Sequence, residues 1–174
     1  MSAAARPVVL LDIDGVLNGP DCGWGRPAAR RTVTIGGRAE QLHYEPSAVA
    51  AVARLHRGAD VEVRWLSSWG ARAADFAAAV GLPADIPADI PAGADLPTWM
   101  LAVARRHAAT GRRVVWVARD ISPSQAETVG DIAWQAGGTT LMVELSSGGG
   151  LQPEHLDSIY TFVGVTGRPH TYRP

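Results

Sequence analysis

An aliphatic run, Val8-Val9-Leu10-Leu11, passes directly into Asp12-Ile13-Asp14-Gly15. So short a run, opening on two β-branched residues, predicts a strand covered on both faces rather than a helix. The two carboxylates then stand at its carboxyl end, where open α/β sheets place their ligands. Two like charges so close are costly to bury unless a cation or a substrate compensates them. An Asp-x-Asp-Gly is also an ordinary Asx turn with solvated acids. By itself the stretch therefore supports either a site or a turn.

The rest of the chain bears on that choice. Gly19 to Pro27 is a loop, and Arg31–Ile35 and Gln41–Tyr44 flank Gly36-Gly37 as a small β-hairpin. Glu45-Pro46-Ser47 opens a helix whose Val49, Val52, Ala53 and Leu55 recur at helical spacing, with Gly58 as its stop. Val61 to Leu66 is a second buried strand ending at Ser67-Ser68-Trp69-Gly70, and Ala71 to Val80 is an Ala-rich helix closed by Gly81. The tandem Ala84-Asp85-Ile86-Pro87 and Ala88-Asp89-Ile90-Pro91 is too short for a structural repeat and predicts an extended surface loop.

Leu96 to His107 is helical, with Leu101, Ala104 and Ala108 facing inward. Val114 to Val117 is a third strand ending at Ala118-Arg119-Asp120, and Ser124 to Gln135 is a helix. Thr140 to Leu145 is a fourth strand, Gly148 to Gly150 a flexible turn, Pro153 to Val163 a helix and Gly167 to Pro174 a loose tail. Strands alternating with helices imply a parallel sheet covered on both faces. The polar strand ends Asp12/Asp14, Ser67/Ser68 and Arg119/Asp120 should then converge on one edge. That convergence favours the site over the turn.

At 174 residues the chain is most simply a single domain. A formal charge of −1 supplies no field that would recruit nucleic acid or an anionic membrane, and no apolar run approaches membrane-spanning length. Arg30-Arg31, Arg105-Arg106 and Arg112-Arg113 are expected on solvated helix faces or strand flanks. The single Cys22 excludes an intrachain disulfide and a Cys-based zinc site. Met1 to Arg6 lacks the apolar core of a signal peptide. These features together predict a cytoplasmic protein.

The pattern resembles the haloacid dehalogenase-like superfamily. Leu11-Asp12-Ile13-Asp14-Gly15-Val16-Leu17-Asn18 is similar to that family's first motif, and Val63-Arg64-Trp65-Leu66-Ser67-Ser68-Trp69 to its second. The likeness extends to Gly81-Leu82-Pro83 and to Gln152-Pro153-Glu154-His155-Leu156, and suggests a small-capped subgroup. The resemblance implies a three-layer Rossmann-like parallel sheet with a small β-hairpin insert and no large cap. It also implies magnesium-dependent phosphoryl chemistry. Asp12 would attack phosphorus, Asp14 would protonate the leaving group and then activate water, and Ser67 would hold the phosphoryl group. Gly15, Asn18, Ser68 and Trp69 would border the substrate, and Asp12, Asp14 and Asp120 would be the metal's ligands. Each role has a physical reason: a pre-aimed nucleophile, an acid within reach of the leaving oxygen, and a donor to developing charge. Outside the resemblance, Ser67 would be an ordinary helix N-cap.

The chain departs from the family pattern where the pattern carries charge. Met100, in Leu96-Pro97-Thr98-Trp99-Met100, occupies the position of a bridging Lys, and Ala118-Arg119 occupies that of a metal-binding acid pair. A phosphate beside an ionised Asp12 without a metal faces roughly 4 kcal/mol of repulsion per charge pair at about 4 Å and effective dielectric 20. That is about three orders of magnitude in rate. The replacements nevertheless balance in charge if Arg119 stands where the cation stood, its planar fork suited to a carboxylate or phosphate. Alternatively, Arg119 pairs with Asp12 or Asp14 in a silent site.

Three functions follow: a hydrolase with an altered metal site, a metal-independent enzyme using Arg119, and a catalytically silent fold that binds a partner. The expected substrate is phosphorylated or carboxylate-bearing, delivered to an open site. His43, His56, His107, His155 and His170 are dispersed, without metal-ligand spacing, and are expected at the surface or at helix ends. Trp65, Trp69, Trp99, Trp116 and Trp134 are expected in the core or lining a pocket. Cys22 has no basic partner to activate it.

Overall fold

The first strand, β1 (Val8–Leu11), is wholly buried and has a partner on each side. The computed structural model describes residues 6–58, 60–91, 95–145 and 149–165. Gly148 and the expected tail from Gly167 lie outside the described residues. After β1 come β2 (Ala29–Ile35), β3 (Arg38–Tyr44), α1 (Pro46–Arg57), β4 (Glu62–Trp65), a 3-10 turn (Gly70–Arg72) and α2 (Ala73–Val80). Then follow α3 (Leu96–Ala108), β5 (Arg113–Ala118), α4 (Pro123–Gln135), β6 (Thr139–Glu144) and α5 (Pro153–Val163).

The protein is α/β. Four parallel strands run in the order β4-β1-β5-β6, and β2 and β3 form a separate antiparallel hairpin. Alternate strand residues point to opposite faces, and two apolar clusters result. Val9, Leu11, Val63, Trp65, Val115 and Val117 pack under α1, α2 and α5. Val8, Leu10, Val114, Trp116 and Ala118 pack under α3 and α4. The helices start on good caps: Glu45 and Asp95 accept from Ser47 and Thr98 backbone N–H groups, and Ser122 and Gln125 form a capping box. Among the described residues, no helix is long and apolar enough to cross a membrane.

Several expectations are corrected. The proline-punctuated tandem is extended, with Ala84, Asp85, Pro87 and Ile90 exposed, but it is pinned to the sheet edge rather than free over the surface. Trp65 donates to the Pro87 carbonyl at 2.8 Å and Asp89 to the Trp65 carbonyl at 3.0 Å, while Leu82, Ile86 and Asp89 are buried. The segment covers the otherwise open edge of β4, the usual remedy for an unpaired strand. In α3 the inward positions are Trp99, Met100, Val103, Ala104, His107 and Ala108, whereas Leu101 is half-buried. Trp134 is 78% exposed, neither core nor pocket. The paired arginines stand where expected, Arg106 exposed on α3 and Arg112 flanking β5, and both also make ion pairs. Arg106 meets Asp89 at 2.5 Å, Arg112 meets Glu62 at 2.7 Å, and Arg64 reaches both acids at 2.9 and 3.1 Å. His107 is buried beside them and accepts from Arg112 through Nδ1.

Candidate functional site

β1 and β5 are neighbours, and their outgoing connections run to opposite sides of the sheet. Their carboxyl ends therefore open a crevice of the kind that holds ligands in α/β sheets. The register carries Asp12 into it: Asp12 N–H donates to the Val117 carbonyl at 3.0 Å, while Leu66 N–H donates to the Leu11 carbonyl at 2.9 Å. Ser67 and Arg119 thus emerge two residues beyond Trp65 and Val117, the last partners of β1, on either side of the loop after Asp12. A cavity of about 390 Å³ opens there, lined by Asp12, Asp14, Arg119, Asp120, Gln125 and a wall of apolar side chains.

Asp12 is fixed from several directions. Its Oδ1 accepts from the Ile13 backbone N–H at 2.7 Å, and the Ser67 hydroxyl also hydrogen-bonds its carboxylate. Ser67 Oγ accepts from the Trp69 backbone N–H at 3.5 Å in a local turn; Ser67 is not a helix N-cap, the N-cap of the 3-10 turn being Trp69. Burial pushes the Asp12 carboxyl up to about 6; the Ser67 and Ile13 hydrogen bonds oppose that rise, and the nearby Asp14 charge adds to it. Asp14 is exposed yet held: Trp69 Nε1 donates to Oδ2 at 2.8 Å and Asn18 Nδ2 to Oδ1 at 2.9 Å. Asn18 in turn accepts from the His43 backbone N–H at 3.0 Å, tying the loop to the hairpin. Trp69 is buried, with the Arg72 guanidinium carbon 5.3 Å from its ring centroid.

Arg119 has an unusual seat. Gly15 has φ +75°, and a Cβ placed on it would fall 1.8 Å from Arg119 Cδ and 2.9 Å from both Cγ and Nε. The arginine stem therefore lies directly against the Gly15 Cα, a place no other L-residue leaves open. Its guanidinium makes no ion pair with Asp12, Asp14 or any other acid among the described residues. The silent-site pairing is not formed. Beside it, Asp120 has φ +57°, the one non-glycine positive φ among the described residues. Such backbone is costly and concentrates at functional sites.

Asp12, Asp14 and Asp120 line one cavity. Among the described residues, however, no three His, Cys, Asp or Glu side chains stand close enough to hold an ion. Magnesium demands near-octahedral oxygen donors. Among the described side chains that line the cavity, the positive charge belongs to Arg119. Ser68 is exposed. Trp69 and Asn18 act on Asp14, and Gly15 acts on Arg119. Cys22 is buried against the Val16 carbonyl at 3.8 Å, and burial, with Asp21 adding to it, pushes its thiol up to about 11. It stays protonated and inert.

Sequence reasoning singled out the acids and the arginine but missed Leu96, Pro97, Ile121 and Gln125 in the cavity wall and Arg72 over Trp69. A usable signal existed for the wall. The first turns of the helices that begin next to strand ends face the crevice, and Pro97 and Gln125 sit in such turns. Comparison with family models, curated proteins and solved structures finds no match to this chain.

Proposed function

We propose that the protein is a hydrolase of the haloacid dehalogenase-like kind that transfers a phosphoryl group to Asp12, with the Arg119 guanidinium serving as the fixed cation. An Asp12 oxygen attacks phosphorus, the bond from phosphorus to the leaving oxygen breaks, and Asp14 gives that oxygen its proton. Asp14, now a carboxylate, takes a proton from water. The resulting hydroxide attacks phosphorus, frees phosphate and restores Asp12. Ser67 holds the nucleophile in line, and Trp69 with Asn18 holds the acid.

The observation that carries this reading is an arginine with no ion pair among the described residues, laid across Gly15 in the same cavity as a half-buried, hydrogen-bonded carboxylate. A cation kept free of its neighbouring acids is available to an anionic substrate and to charge developing in the transition state. Attack requires ionised Asp12, so turnover rises through about pH 6.

Hydrolysis of an aryl phosphate by chelator-treated protein tests the proposal. Turnover should survive chelation, fall about a thousandfold in Asp12→Asn and about a hundredfold in Arg119→Gln. Activity that needs added magnesium, or that persists in Asp12→Asn, would overturn it.

A further inference from the structure

The walls of the cavity and its charge together say more about the ligand than the reacting carboxylates do. Leu96 and Pro97 at the start of α3, Met100 one turn on, Trp116 of β5 and Ile121 after it give one side an apolar surface. At about 390 Å³ the space is that of a small-molecule site rather than of a lone tetrahedral anion. An ion the size of phosphate would leave those walls facing water, whereas a ligand with an apolar body covers them.

The polar side sets the charge. Among the described residues Arg119 is the only cationic side chain lining the cavity, and it shares that lining with Asp12, Asp14 and Asp120. A single negative charge is matched by one guanidinium. A second negative charge finds no cation and meets the three acids instead. Gln125 adds a donor: its Oε1 is occupied by the Ser122 backbone N–H at 2.9 Å, which leaves its amide N–H groups to face a ligand oxygen. The stem of Arg119 cannot fold back across the loop without leaving Gly15, so its head group is pre-placed.

The geometry points to an organic monoanion with an apolar aryl or branched aliphatic body as the ligand of this cavity, its charged head on Arg119 and Gln125 and its body on Met100, Trp116 and Ile121. The inference rests on the proposed function only in taking this cavity as the site; the head can be a carboxylate, a singly charged phosphodiester or the monoanion of a phosphate monoester. Ligands that differ in one respect at a time separate these terms. We would titrate isotope-labelled protein with 3-phenylpropionate, methyl phenyl phosphate, 3-phenylpropanol and inorganic phosphate at mildly alkaline pH, where inorganic phosphate is a dianion.

Both aryl monoanions should bind on the order of tenfold tighter than the neutral alcohol or inorganic phosphate. The stronger of the two identifies the head group. Arg119→Gln should erase the advantage over the alcohol, and Met100→Lys, which adds a cation to the apolar wall, should raise affinity for inorganic phosphate. Inorganic phosphate binding as tightly as the aryl anions, or an unchanged order in Arg119→Gln, would overturn the inference. Missing aryl phosphate turnover with this binding order intact would overturn the phosphoryl-transfer reading alone. Turnover with the order reversed would overturn this one alone.

Discussion

Two clusters of acids and arginines lie in this small protein, and they are built on opposite rules. At the covered edge of β4, each carboxylate oxygen of Glu62 and Asp89 meets an arginine. Burial would raise the Asp89 carboxyl, but His107, Arg64 and Arg106 outweigh it and hold it at about 2; Arg112 and Arg64 likewise outweigh burial at Glu62 and lower it. At the crevice the half-buried carboxylate goes the other way, up to about 6, and the neighbouring arginine makes no ion pair among the described residues. A saturated network fastens the segment over the sheet edge to α3 and β4. An unsaturated one leaves charge available to something else, at a cost in stability.

The largest way to break the comparison is Asp89→Ala, which removes the acid shared by Arg64 and Arg106, leaves Arg64 on Glu62 and Arg106 in solvent, and should cost about 3 kcal/mol in urea unfolding at neutral pH. Because the folded Asp89 carboxyl lies near 2, below the unfolded value of 3.8, its contribution is full above about pH 4 and disappears as pH falls towards 2. Asp12→Asn should have the opposite sign. The folded carboxyl titrates near 6 against 3.8 unfolded, so ionised Asp12 opposes folding. The variant should be more stable than the parent by up to ~3 kcal/mol above about pH 6, with the difference gone below about pH 4. A stability gain at both pH values would show that packing, not charge, is responsible.

Gly15→Ala comes next. The positive φ alone costs about 1 kcal/mol, and the new methyl displaces the arginine stem. Denaturation should therefore show a modest loss while anion binding falls as far as in Arg119→Gln. The smallest effect belongs to Trp69→Phe, which deletes the hydrogen bond to Asp14 for about 1 kcal/mol. Turnover there should fall more than the stability change accounts for, since Asp14 loses its orientation.

Much of the site was legible because it follows from strand ends. A buried strand is visible in Val8–Leu11, and parallel pairing aligns its end with those of β4 and β5. Asp12, Ser67 and Arg119 could thus be grouped before any coordinates. The edge network was not legible. Nothing in Ala88-Asp89-Ile90 announces that Asp89 will meet arginines from β4 and α3, because the contact spans elements distant in sequence. Exposed Trp134 was misread for the same reason: hydrophobicity gives a preference for burial, and the neighbouring elements decide whether a given helix face receives it.

The sequence alone determined the alternation of strands and helices, the parallel sheet and the meeting of two carboxylates with a serine and an arginine. These depend on local periodicity and on the direction of the chain. Only the tertiary structure decided that Arg119 lies over Gly15 unpaired, that Asp14 is held by Trp69 and Asn18, and that an apolar wall faces the acids. Side-chain charges act over a few ångströms, and which atoms come that close is settled by packing.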